Sequence, residues 1–194
     1  MRVGLSGWNG FLARKLRERT EIEWVNSTYG IDCYLHLGSP TFTEEQINAE
    51  QSRVMHEYVK SSMALIDSLS VPIIFGSTTG VDDIQYDHTG STSYNLSKLF
   101  LENYIVNHCK EYTILRIGSI ISSRLEDVQM MKPDRLQQQI LARNYRNVPM
   151  LDNYLDVDVF VNTTIDCIQN SKRGIINYKL QQMSMVSMTT LVKK

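Results

Sequence analysis

A doubly wound α/β fold on a parallel sheet is what this sequence predicts, and three observations predict it. Short apolar runs alternate with helix-length stretches along nearly all of the 194 residues, the arrangement that places helices on both faces of a parallel sheet. The first run, Met1-Arg2-Val3-Gly4-Leu5-Ser6, passes directly into Gly7-Trp8-Asn9-Gly10 and then a helical pattern. Later runs end in small or hydroxyl-bearing residues, on the sheet edge where doubly wound folds bind ligands. Strands are expected near 1–6, 22–26, 32–37, 72–76, 112–117 and 175–178, and helices near 10–19, 43–68, 92–109, 134–146 and 157–169.

In the first turn two glycine frames fit, Gly4/Gly7/Gly10 and Gly7/Gly10/Ala13. Gly4 falls inside the strand, so the second frame is preferred. It lets backbone N–H groups at Gly7 and Gly10 approach a pyrophosphate at a helix N-terminus, and gives helix-on-strand packing a small residue at Ala13. A plain glycine-rich turn at a sheet edge is the alternative. The third and fourth strands, Ile31-Asp32-Cys33-Tyr34-Leu35-His36-Leu37-Gly38-Ser39-Pro40 and Val71-Pro72-Ile73-Ile74-Phe75-Gly76-Ser77-Thr78-Thr79-Gly80-Val81, read as buried strands with polar C-terminal ends. A hydroxyl from Ser77 or Thr78 then emerges on the same edge as the glycine turn. Within strand three, His36 reads as a satisfied core residue rather than a ligand.

The helix from about 92 carries Tyr94 and Lys98, four apart and therefore on one face. A lysine beside a tyrosine favours the phenolate and lowers the phenol from its free pKa of about 10, so the pair can work as one acid-base unit. A decorated, solvated helix face is the competing explanation of the spacing. The stretch before it has Ile47, Val54, Met55, Tyr58, Val59, Met63, Leu65 and Ile66 as apolar positions, more than one stripe requires. A helix apolar on two faces has two partners, supplied by a second subunit or within one subunit.

Lys and Arg number 20 against 21 Asp and Glu, and their interspersion excludes a nucleic-acid stripe or a membrane-surface patch. The length suits a single domain spanning 1–194. No stretch is apolar enough to span a bilayer, and the first strand begins at the N-terminus, leaving no room for a signal peptide. Cys33, Cys109 and Cys167 are widely spaced and fit neither a disulfide framework nor a zinc pattern. They read as reduced thiols of a cytoplasmic protein with no metal site.

Taken in order, these segments resemble the extended short-chain dehydrogenase/reductase family, the NAD(P)-dependent epimerases, dehydratases and reductases. Gly7-Trp8-Asn9-Gly10-Phe11-Leu12-Ala13 is similar to the family's GxxGFxG turn, Asp32 through Ser39 to its DxVxHLAA strand, and Phe75 through Val81 to its S-[ST]-x-x-V strand end. Tyr94-Asn95-Leu96-Ser97-Lys98 with Glu102 resembles its YxxSKxxxE helix, and Tyr112-Thr113-Ile114-Leu115-Arg116 the strand that follows. Asn153 through Asp158 and Gly174 through Tyr178 resemble two later segments. The resemblance implies a Rossmann fold with Thr78, Tyr94 and Lys98 as catalytic residues: Tyr94 moves the hydroxyl proton, Lys98 tunes it and holds the nicotinamide ribose, and Thr78 binds the substrate oxygen. It implies a dinucleotide held by Gly7, Asn9, Gly10, Phe11, Leu12 and Arg14, by Asn26, and by Leu37, Gly38 and Ser39. It also implies a homodimer built on the 43–68 helix and the Tyr-Lys helix.

The departures shape the expected function. Strand two ends in Asn26-Ser27-Thr28, where NAD-preferring folds have a carboxylate for the ribose 2′-hydroxyl. Arg14 suits a 2′-phosphate, so the cofactor is NAD or NADP with a lean to NADP. Few residues separate Asn26 from Asp32, so the adenosine side is abbreviated. The substrate lobe is much reduced, with its elements from about 119 to 155. Ser119 stands where the family has asparagine, and Arg135, Arg143 and Arg146 are the arginines available for a substrate pyrophosphate. Thr79-Gly80 follows Thr78 in place of the acids a 4,6-dehydratase needs. An epimerase or ketoreductase of nucleotide-activated sugars is therefore expected, with a catalytically silent dinucleotide-binding protein as the rival; Ser77 and Ser119 join Arg143 and Arg146 on the substrate side.

Overall fold

The computed structural model describes residues 1–39, 51–82, 93–131 and 154–177. The expected helix near 134–146, with Arg135, Arg143 and Arg146, lies outside these residues, as does the start of the 43–68 helix. The elements run β1 (Arg2–Leu5), α1 (Phe11–Arg17), β2 (Glu23–Val25), β3 (Cys33–His36), α2 (Gln51–Ser68), β4 (Ile73–Thr78), α3 (Ser93–His108), β5 (Tyr112–Ile117), β6 (Ser119–Ile121), α4 (Leu125–Met130), β7 (Tyr154–Asp156), α5 (Val157–Gln169) and β8 (Gly174–Asn177).

Six strands form one parallel sheet in the order β2-β1-β3-β4-β5-β8. Alternation along the strands builds a core on each face. Val3, Leu5, Cys33, Leu35, Ile74 and Leu115 pack with Ala13 and Leu16 of α1 and Phe160, Val161 and Ile165 of α5. Ile73, Phe75 and Ile114 pack on the opposite face with Met55, Tyr58 and Ile66 of α2 and Leu101 and Ile105 of α3. The expected doubly wound architecture follows directly. Strand order reverses between β1 and β3, the position where such sheets open a ligand crevice.

Between β2 and β3 the chain has only residues 26–32 in which to cross β1, whereas a crossover carrying a helix takes a dozen residues or more. It crosses as bare backbone. A Cβ on Gly4 would lie 2.5 Å from the Ser27 carbonyl oxygen and 2.5 Å from Tyr34 Cδ2, so the glycine inside β1 is what admits the link. Arg2 fastens it: its backbone N–H donates to Asp32 Oδ2 at 2.7 Å and its guanidinium to Glu23 Oε1 at 2.9 Å and the Gly30 carbonyl at 3.0 Å.

Three short elements were not anticipated from sequence. β6 and β7 pair in parallel as a separate two-stranded sheet, bracketing the segment expected on the substrate side. Helix α4 carries Asp127, fully buried, which accepts from Ser122 Oγ and Arg124 Nε at 2.7 Å each and meets Lys15 Nζ of α1 at 3.1 Å. Arg124 reaches on to Asp158 of α5 at 2.7 Å, so α1, α4 and α5 share one charge cluster. Among the described residues no helix is long and apolar enough to cross a membrane, and no group of acidic, histidine or cysteine side chains is arranged to hold a metal ion.

Candidate active site

The β1–α1 turn and the end of β3 touch backbone to backbone. Gly7 has φ +70°, and a Cβ there would sit 3.1 Å from Gly38 Cα and N. The Gly10 N–H closes the turn onto the Gly7 carbonyl at 2.7 Å, and Gly10 precedes α1 without any side-chain cap. The first N–H groups of a helix have no acceptor within it, and an anion is one partner that can supply it. Gly7, Asn9, Gly10 and Arg14 are exposed, and Phe11 and Leu12 are half-buried against the core. Leu37, Gly38 and Ser39 follow β3 as half-buried residues across from the turn. Asn26, exposed after β2, lines an open cleft with Ser27, Thr28, Tyr29 and Tyr34. Arg17 was not singled out by sequence: its guanidinium lies 4.1 Å over the Trp8 ring and donates to the Trp8 carbonyl at 3.2 Å, bracing the turn from behind.

Tyr94 and Lys98 lie on one face of α3, as their spacing requires. Lys98 is 1% exposed. Its Nζ donates to the Gly76 carbonyl at 2.8 Å and to the Tyr58 hydroxyl at 2.9 Å, and lies 5.7 Å from the centroid of the Tyr94 ring. Burial pushes the ammonium down to about 7, against the raising influence of the Glu102 carboxylate. Tyr58, on α2, is the residue that sequence reasoning missed; it counted there only as one apolar position of a stripe. Burial first and proximity to Tyr94 second raise its phenol above the ordinary value.

Thr78 ends β4 half-buried, its Oγ1 accepting from the Gly80 N–H at 3.2 Å. Ser77 is turned the other way: 4% exposed, it donates to Glu102 Oε1. Glu102 is in turn held by Arg116 Nη2 at 2.6 Å, and Arg116 also pairs with Asp82. The Ser77 hydroxyl, expected on the substrate side, thus serves a buried ion pair that joins α3 to β5. Ser119 lies half-buried in β6, in register with Tyr154. Arg143 and Arg146 lie outside the described residues.

The expectation that His36 is a satisfied core residue holds, and its partners are specific. Its Nδ1 is 2.8 Å from Ser6 Oγ and its Nε2 3.1 Å from Ser62 Oγ, while Ser6 Oγ accepts from the Gly38 N–H at 2.8 Å. Burial, with the Lys98 charge adding, pushes the imidazole down to about 3.

No protein-family model and no curated protein matches the sequence. Solved structures do match. An NAD-dependent NDP-hexosamine 5,6-dehydratase of tunicamycin biosynthesis, TunA, superposes with a TM-score of 0.74 at 15% identity, over 100% of this chain and 80% of that one. The dTDP-4-dehydrorhamnose reductase of Bacillus anthracis in complex with NADP gives 0.70 at 13% identity, over 99% and 80%. The UDP-glucuronic acid 4-epimerase of Bacillus cereus in complex with NAD gives 0.62 at 15% identity, over 96% and 80%. At these identities the likeness establishes the Rossmann-type fold.

Proposed function

We propose that the protein is an NAD(P)-dependent oxidoreductase or epimerase acting on a nucleotide-activated sugar. One observation carries this reading: a bare glycine turn at the point where strand order reverses shares the C-terminal sheet edge with Thr78, Tyr94 and Lys98. The turn suits a dinucleotide because the two backbones already touch at Gly7 and Gly38, and side chains there would fill the cradle. In this reading the N–H groups of the turn and of α1 hold the pyrophosphate, and Leu37, Gly38 and Ser39 form the opposite wall. Asn26 and Arg14 meet the adenosine ribose, with the lean to NADP.

The nicotinamide, when bound, supplies or accepts hydride. The rest falls to side chains of this chain. Thr78 hydrogen-bonds the reacting oxygen of the substrate, and Tyr94 gives or takes its proton. Lys98, while charged, favours the Tyr94 phenolate. Ser119, Arg143 and Arg146 belong to the substrate side. With Thr79-Gly80 after Thr78, epimerase or ketoreductase chemistry is favoured over elimination. A homodimer is part of the proposal, supported by Leu96 and Phe100, which are 48% and 51% exposed about one turn apart on α3.

A second reading, dinucleotide binding without turnover, is favoured by the burial of Lys98 and the commitment of its ammonium to Tyr58 and Gly76. Titration calorimetry with NAD and NADP tests the common ground. The wild type is expected to bind at least one, and Gly10→Val, whose Cβ already meets the Gly7 carbonyl oxygen at 3.0 Å, to lose that affinity. A wild type that binds neither overturns the proposal.

A further inference from the structure

The polar groups behind the turn form one line. Lys98 Nζ donates to the Tyr58 hydroxyl at 2.9 Å. Ser62 follows Tyr58 by one turn along α2 and tempers the rise of its phenol; Ser62 Oγ is 3.1 Å from His36 Nε2, and His36 Nδ1 is 2.8 Å from Ser6 Oγ. Ser6 accepts from Gly38, on the wall of the turn. With the Gly38 N–H donating to it, the Ser6 hydroxyl donates to His36 Nδ1, and His36 Nε2–H donates to Ser62 Oγ. The line is buried, Tyr58 at 7%, Ser62 at 2% and His36 at 5% exposure, where hydrogen bonds strengthen one another and a broken one is costly.

We propose that Tyr58 is a positioning residue for Lys98, its hydroxyl holding the ammonium against the Gly76 carbonyl. This rests on the reading of Lys98 as a functional lysine, and it assigns Tyr58 of α2 to the same machinery. The apolar surroundings are consistent with that role. The ammonium also lies 4.7 Å from the centroid of Phe75 and 5.2 Å from that of Tyr58, so the Tyr58 oxygen is the polar group α2 offers it. Among the described residues, the titratable and charged groups around Lys98 are Tyr58 of α2, His36 of β3, and Tyr94 and Glu102 of its own helix, with Arg116 of β5 behind Glu102.

The test is an NMR pH titration of the Lys98 side chain in ligand-free protein, its Cε–Hε signal identified by its absence in Lys98→Met. Tyr58→Phe keeps the ring and deletes only the acceptor. Loss of one hydrogen bond to a charged group is worth about one pH unit, so the midpoint should fall by about that much. A second measurement needs no variant: in the wild type the Tyr58 Cζ signal should move at the Lys98 midpoint, because the Tyr58 hydroxyl accepts from the ammonium. It remains informative if Tyr58→Phe does not fold. A midpoint that stays or rises in Tyr58→Phe, or a Tyr58 Cζ signal unmoved across the Lys98 midpoint, overturns the proposal. Because no dinucleotide is present, failure of cofactor binding would leave this result standing, and failure of the shift would leave the dinucleotide reading intact.

Discussion

Acidification should unfold this protein through His36 before its surface carboxylates matter. The imidazole is 5% exposed and lowered to about 3 by burial, with the Lys98 charge contributing. Unfolded, the same ring titrates near its ordinary value of about 6.5. A folded pKa depressed below the unfolded one means that the unfolded chain takes the proton first. Stability is therefore fully present above about 6.5 and drains away as pH falls toward 3, at about 1.4 kcal/mol per pH unit. Between pH 6.5 and 4.5 that amounts to about 2 to 3 kcal/mol, a large part of the roughly 5–15 kcal/mol that holds a domain folded. Urea unfolding of the wild type and of His36→Gln at pH 7, 6, 5 and 4.5 isolates the effect. The substitution removes the titrating group while its packing cost stays nearly constant with pH, so the stability gap between the two proteins should narrow by about 2 to 3 kcal/mol as pH drops. Parallel stability curves across that range would refute the reasoning.

Two further outcomes are expected. Gly4→Val forces a side chain into the space occupied by the Ser27 carbonyl and the Tyr34 ring, and should cost about 1–3 kcal/mol or more of stability; an unchanged urea midpoint would mean that the link over β1 has room to move. Tyr94→Phe should lower turnover on an authenticated sugar nucleotide by about 100- to 10,000-fold while largely sparing dinucleotide affinity, and a rate equal to wild type would reduce Tyr94 to a packing residue.

The centre of the large sheet could be read from sequence because β3, β4 and β5 are covered on both faces, so each appears as a nearly unbroken apolar run. Ile73-Ile74-Phe75 shows its nature without knowledge of its neighbours. β6 and β7 carry no such mark: strands of three residues are too short for a period, and their pairing joins segments far apart in sequence. The site divides along the same line. Glycines at a turn, and Tyr94 four residues before Lys98, are local signals. Tyr58 lies 40 residues from Lys98, and nothing in Met55-His56-Glu57-Tyr58-Val59 distinguishes a hydroxyl bound to an ammonium from a ring filling a core. Gly4 was recognised as a strand glycine, but its cause, a backbone passing overhead, depended on where residues 26–32 would run.

That passage sets how the molecule opens. Under the link, among the described residues, β1 packs against helices on one side only, and β2 is a three-residue edge strand whose first position is exposed and whose other two are half-buried. A segment with so little apolar cover detaches at a lower free energy than the strands clamped between helices. Amides of β2 and the link should therefore exchange with solvent ahead of those in β3, β4 and β5, as a separate cooperative unit. A ligand that reached from the turn to Asn26 would bridge that unit and the stable sheet, and the protection it confers would fall chiefly on the weaker side.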